Sequence, residues 1–297
     1  MPTERAAQAV AAQPFKPSLG ARVPPHVFFI VSAVFHYLGP AFAVLLFRHV
    51  TPLGVAWLRI ASAAAIFSLW RRPWRFLGRL SGAQLASIAG LGVVLAAMNC
   101  VFYEAIDRLP LGTVGAIEFL GPIGLAAAGA HTGRNFTALA LAAAGVFVLT
   151  DVRIGGERLG YVFAFANCAL FVLYVVLGHR IAADGAASGV DRLGAAMFVA
   201  MIAALPIGIG QAAPALASPV LLGAAIGVGV SSSVIPYVCD QLAMARLPRA
   251  SFTLMLSLLP ATACVIGVVV LRQVPSVAEA CGIALIILGI ALHRPNA

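Results

Sequence analysis

The sequence predicts an all-α integral membrane protein of about ten transmembrane helices in two inverted five-helix repeats. Three observations carry that expectation. The first is composition: 62% of the 297 residues are hydrophobic and 10% are charged, with a mean hydropathy of +1.01. Soluble domains hold roughly 45–50% apolar and about 25% charged residues. The second is segmentation, apolar stretches recurring along the chain with short charged or Pro/Gly-rich breaks. The third is a pair of matched proline landmarks 138 residues apart.

A spanning helix needs about 20 mostly apolar residues. Ten stretches qualify: 27–47, 52–70, 81–105, 109–130, 134–150, 160–178, 193–213, 219–243, 250–271 and 277–293. Backbone polar groups in hydrocarbon must be satisfied within the segment, which selects helices; barrel strands would be shorter and alternating. Residues 1–26 are polar and Pro/Ala-rich and are expected to form a disordered cytoplasmic tail. The apolar run that follows is longer than a secretory h-region and is expected to remain as an uncleaved first helix. The first repeat is expected over 27–150, the second over 151–293, with 294–297 as a cytoplasmic C-terminus.

The formal charge is +9. A nucleic-acid binder would gather its basic residues into one stripe with interleaved aromatics. Here they flank the apolar segments, and no nucleic-acid partner is expected. Counted by side, thirteen of the 19 basic residues fall with the N-terminus and five opposite, Arg59 lying within a span. That asymmetry predicts both termini inside. Leu109-Pro110 is followed by Pro122, and Leu247-Pro248 by Pro260, at the same interval. With five helices per half the second copy is inverted, as in alternating-access carriers.

The five cysteines lie in apolar segments with no CxxC pair and no His at ligand spacing, so they are expected to pack, and neither metal nor cofactor is expected. Walker, HExxH and nucleophile-elbow patterns are absent. Asp240 is the one aspartate well within a predicted span, which argues against an intramembrane aspartyl diad. The chain is not expected to be an enzyme.

An ionisable group inside a bilayer costs roughly 2.5–3.5 kcal/mol on insertion scales and therefore marks an interior or a pathway. Arg59 and Glu118 fall about 10–14 Å deep at about 1.5 Å per residue. Glu118 is expected to take a substrate ammonium or a transported proton and Arg59 a carboxylate, unless the two form a structural ion pair. His36 lies mid-span, where an imidazole suits proton exchange or a helix–helix hydrogen bond. Asn99 and Asn167 are expected to line the cavity. Tyr103 and Tyr174 either cap substrate or sit at an interface belt. Glu104, Asp107 and Arg108 are expected as solvated interface charges, and Asp240 either pairs with Arg246 or Arg249 or guides solute.

Several short stretches carry a resemblance. They are Met98-Asn99 with Phe102-Tyr103, Leu109-Pro110-Leu111-Gly112, and Glu118-Phe119 with Gly121-Pro122. The second half adds Pro236-Tyr237, Ala245-Arg246-Leu247-Pro248, and Ser257 with Pro260-Ala261; Trp57-Leu58-Arg59 and Leu173-Tyr174 also fit. Over roughly 27–293 the chain resembles the EamA branch of the drug/metabolite transporter superfamily, and within it the threonine/homoserine exporters. The resemblance implies a secondary active exporter of small metabolites in the bacterial cytoplasmic (inner) membrane. It also implies amino acids as substrate, alternating access and proton antiport. Leu259 stands where those exporters carry Glu, and Arg272-Gln273 where they carry Gly-Glu. Efflux of another solute (a drug, an amine or a nucleotide sugar) and a non-transporting membrane scaffold are the alternatives.

Overall fold

The computed structural model describes residues 23–78, 80–121, 133–151, 157–182, 186–246 and 258–292. Among them the chain is helical, with no strand. Helix α1 spans Pro25–Leu46, α2 Pro52–Arg71, α3 Gly82–Arg108, α4 Leu111–Glu118, α5 Gly133–Asp151, α6 Arg158–Ala182 and α7 Ala186–Gly208. Helix α8 runs Pro219–Met244, widened by a π turn at Val230–Val234, and α9 (Leu258–Leu271) and α10 (Val277–Leu292) follow. Six of these, α1–α3 and α6–α8, are long and apolar enough to cross a membrane; α5, α9 and α10 are shorter apolar helices. Residues 1–22 of the expected tail, Pro122, the second Leu-Pro pair, Arg249 and residues 294–297 lie outside the described residues, while Pro25 and His26, counted with the tail, already belong to α1.

Local chemistry sets the helix ends. Thr51 and Ser218 accept backbone N–H groups at the starts of α2 and α8, each followed by proline at the first position. Ser81 and Gln84 form a reciprocal capping box on α3. Helices α2 and α9 stop at Arg72 and Arg272, whose φ values of 49° and 55° are left-handed and end the ladder. The break expected over 179–192 is shorter than its charges suggest. Helix α6 continues to Ala182 and α7 begins at Ala186, because the polar residues there are satisfied: Asp191 accepts from Arg71 Nε, and Arg192 donates to the Ile181 carbonyl.

Packing pairs α2 with α7, α5 with α10 and α4 with α9, and also α3 with α6 and α1 with α8. Further contacts join α3 to α7 and α2 to α8, and α1 to α9 and α4 to α6. Small residues permit the closest approaches, since lipid supplies little hydrophobic drive between helices. A Cβ on Gly39 of α1 would come within 2.3 Å of Ser232 Cβ, and one on Gly229 within 1.8 Å of Ser62 Oγ. These two positions press α1 and α2 onto the π turn. Large apolar side chains face outward, among them Leu69, Phe136, Phe147, Val220 and Val269. Polar ones are buried, including His36, Arg59, Asn99, Glu118, Asn167 and Asp240. That arrangement suits a protein solvated by lipid.

Candidate functional site

Glu118 is the last residue of α4 and is 2% exposed. Tyr37 Oη of α1 donates to its Oε2 at 2.9 Å, and Asn167 Nδ2 of α6 donates to Oε1 at 2.9 Å. His36 Nε2 stands 3.8 Å from Oε2. Three helices thus hold one carboxylate, each of its oxygens receiving a hydrogen bond from a neutral donor.

Arg59 on α2 is equally buried, and its partners come from α8. Its Nε donates to Ser233 Oγ at 2.7 Å, and its Nη2 donates to the Ser232 carbonyl and, at 3.5 Å, to Tyr237 Oη. The π turn explains the carbonyl, since widening a helix turn diverts backbone oxygens from the regular ladder. The guanidinium carbon lies 5.5 Å from the Tyr103 ring centroid and 5.9 Å from that of Tyr237, within cation–π range. Nη1 makes no hydrogen bond among the described residues.

Both charges face one narrow central cavity, lined also by His36, Met98, Asn99, Phe102, Asn167 and Tyr237. Its volume of about 10 Å³ holds about one water. Arg59 and Glu118 form no ion pair with each other among the described residues; each is held by neutral groups. Asn99 donates to the Leu95 carbonyl, but its Oδ1 is buried without a partner among the described residues, as are Asn167 Oδ1 and Tyr103 Oη. Buried polar atoms are nearly always satisfied, so the orphan oxygens of Asn99 and Asn167, both of which line this cavity, mark a place where a ligand or water belongs.

A second narrow cavity, also about 10 Å³, shares His36 and is lined by Phe29, Ser32, Phe171, Tyr174, Asp240 and Leu259. Asp240 accepts from Ser32 Oγ at 2.5 Å and from Tyr174 Oη at 3.4 Å. Arg246, read from sequence as its possible partner, instead lies over the Phe28 ring and donates to the Val23 carbonyl. Tyr174 therefore belongs to the Asp240 cavity, apart from Glu118.

A wider cavity of about 320 Å³ opens where α1 and α3 end, lined in part by Asp107, Arg108, Thr113, Cys264, Gln273 and Glu279. Arg108 pairs with Glu104 and Asp107 at its rim. Farther along α4, a Cβ on Gly115 would meet Ala263 Cβ at 2.6 Å and Tyr37 Oη at 3.1 Å. Along α4, Gly115 lies between Gly112 and Thr113, which line this vestibule, and Glu118.

The structure gathers His36, Arg59, Asn99, Glu118 and Asn167 on one cavity, with Tyr103 beneath the guanidinium. Sequence reasoning missed Ser32, Tyr37, Ser232 and Ser233 as partners. The serine run 231–233 inside an apolar segment was the available signal; Tyr37 had only its place beside His36.

Polar and ionisable groups gathered around a narrow cavity between long apolar helices define a class, the multi-pass membrane transporter. Residues 158–293 match the EamA-like transporter family. The threonine/homoserine exporter RhtA of Salmonella typhimurium is 31% identical over 241 residues, 79% of each chain. RhtA of Escherichia coli K12 is 30% identical over 256 residues, 84% of each. A solved protein structure superposes with a TM-score of 0.55 at 19% identity, covering 90% of this chain and 96% of that one, and speaks for the fold alone. The chain belongs to the EamA-like transporter family. It is a membrane transporter and not an enzyme.

Proposed function

We propose that the protein is a secondary active exporter of small zwitterionic metabolites, amino acids of the threonine/homoserine type, working by alternating access with proton antiport. One observation carries the reading: Glu118 and Arg59 face a single narrow cavity without pairing to each other among the described residues. A zwitterion brings an ammonium to the first and a carboxylate to the second, and the orphan acceptors of Asn99 and Asn167 suit an ammonium or a hydroxyl. Two relatives named as threonine/homoserine exporters, at about 30% identity, favour the same cargo.

The ten-helix inverted repeat belongs to this proposal, supported by the packing pairs. Exchanging α1–α5 with α6–α10 maps α2·α7, α4·α9 and α5·α10 onto themselves and α3·α6 onto α1·α8. It also maps α3·α7 onto α2·α8 and α1·α9 onto α4·α6. Contacts between helix ends join segments that the charge count puts on one side: Arg71 with Asp191, Arg134 with Leu292, Thr51 with Gln211, and Leu111 with Gln273. In that frame both termini are cytoplasmic, the membrane is the bacterial inner one, and the vestibule opens outward above a closed gate.

Counterflow of labelled threonine into proteoliposomes preloaded with unlabelled threonine tests the reading. Accumulation that grows when a pH gradient is imposed is expected. Movement of organic cations but no amino acid would favour the second reading, efflux of another solute. The apolar Leu259 beside Asp240 gives that reading its one support.

A further inference from the structure

We propose that Asp240 is a second proton station, in series with Glu118 and joined to it through His36, so that the coupling proton has an assigned path of two carboxylates. The inference rests on the proton-coupled exporter reading.

The two carboxylates have matching settings. Each accepts one hydrogen bond from α1 and one from α6: Tyr37 and Asn167 for Glu118, Ser32 and Tyr174 for Asp240. The tyrosine comes from α1 in one case and from α6 in the other, and the two tyrosines stand 137 residues apart, within one residue of the proline offset. Asp240 thus sits, like Glu118, between one donor from α1 and one from α6, although it lies on α8 and not on α9, the helix that the repeat pairs with α4.

Their order along the bundle follows from the donors. Ser32 precedes Tyr37 by five residues on α1, and Tyr174 follows Asn167 by seven on the antiparallel α6. At about 1.5 Å per residue Asp240 lies about 8–10 Å nearer the α1 N-terminal end than Glu118. His36 lines both cavities. An imidazole accepts a proton on one nitrogen while donating from the other. A proton leaving the Asp240 carboxyl can be taken by His36, whose ring then releases one to the Glu118 carboxylate. One proton moves, one carboxylate loses what the other gains, and no other reactant is required.

The groups facing Asp240 leave this path open. From α1 come Ser32 and His36, from α6 Tyr174, from α9 the apolar Leu259, and on α8 itself Tyr237 and Cys239 lie nearby. Among the described residues no Arg or Lys pairs with Asp240.

The experiment compares two readouts on the purified full chain in proteoliposomes: threonine counterflow at equal pH, and accumulation driven by a pH gradient. Asp240→Asn is expected to insert and melt like wild type and to retain counterflow. Its gradient-driven accumulation should fall by about tenfold or more. Asp240→Glu should restore it, and His36→Gln should reproduce the loss. Gradient-driven accumulation at the wild-type level in Asp240→Asn overturns the inference while leaving the exporter reading intact. So does loss of both readouts together, which would make Asp240 a structural or solute-binding group. Absence of counterflow in the wild-type chain overturns the exporter reading itself, and this inference with it.

Discussion

Replacing Glu118 by Gln removes one charge and alters two hydrogen bonds while leaving the side-chain shape. The carboxylate accepts from Tyr37 at Oε2 and from Asn167 at Oε1, both 2.9 Å. A glutamine can accept only through its one oxygen; with that oxygen toward Asn167, its amide N–H donates to Tyr37 Oη, and the buried Tyr37 O–H loses the acceptor it had in the carboxylate. That costs about 1–3 kcal/mol of folding stability. The larger effect falls on the ligand. An ammonium about 4 Å from a carboxylate gains about 4 kcal/mol at an effective dielectric near 20, and each 1.4 kcal/mol is about a factor of ten in affinity. Threonine binding to the purified variant, followed by calorimetry, is expected to weaken by about two to three orders of magnitude, with counterflow abolished. The protein should still insert and purify as a single species. Binding within about threefold of wild type would refute the assignment of the ammonium to Glu118.

Arg59→Lys keeps the charge but gives up the fork that engages Ser233 and the Ser232 carbonyl together; counterflow KM is expected to rise by about tenfold or more, as read from initial rates. Tyr37→Phe removes a hydrogen bond to a charged acceptor and should cost about 1.5–3 kcal/mol at Glu118, seen as a lower Tm in detergent and a weaker threonine Kd. Gly115→Val places a branched side chain where even a Cβ meets Ala263 at 2.6 Å. It is expected to arrest exchange and, because the same Cβ would stand 3.1 Å from Tyr37 Oη, to disturb the Tyr37–Glu118 hydrogen bond with it, so counterflow and threonine-induced thermal stabilisation should both be lost. Asp191→Ala breaks an ion pair whose side chains are about a third exposed and should lower stability by no more than about 1 kcal/mol, checked by thermal melting.

Long apolar spans were legible because hydrophobicity over about 20 residues is a property of the chain itself. The predicted starts at 52, 219 and 277 coincide with α2, α8 and α10, each marked by proline or a capping residue. The junction over 179–192 was misplaced because hydropathy counts Arg180, Asp191 and Arg192 as loop formers. It cannot see that Asp191 meets Arg71, 120 residues away in sequence. The same limit governs the site. Buried charge made Glu118 and Arg59 conspicuous, and depth alone suggested that they might pair. Only folding reveals that Arg59 is held by the π turn of α8, a distortion that the serine run permits but does not announce. Asp240 looked like the end of a span facing basic residues; its partners, Ser32 and Tyr174, lie 208 and 66 residues away.

The central claim is that one cavity reads both ends of a zwitterion, and competition against labelled threonine counterflow tests it most directly. The competitors are threonine analogues lacking only the amino group or only the carboxylate. The account predicts that each weakens competition by about two orders of magnitude or more, the deaminated analogue becoming indifferent to Glu118→Gln and the decarboxylated one to Arg59→Lys. Either analogue competing as well as threonine would contradict it.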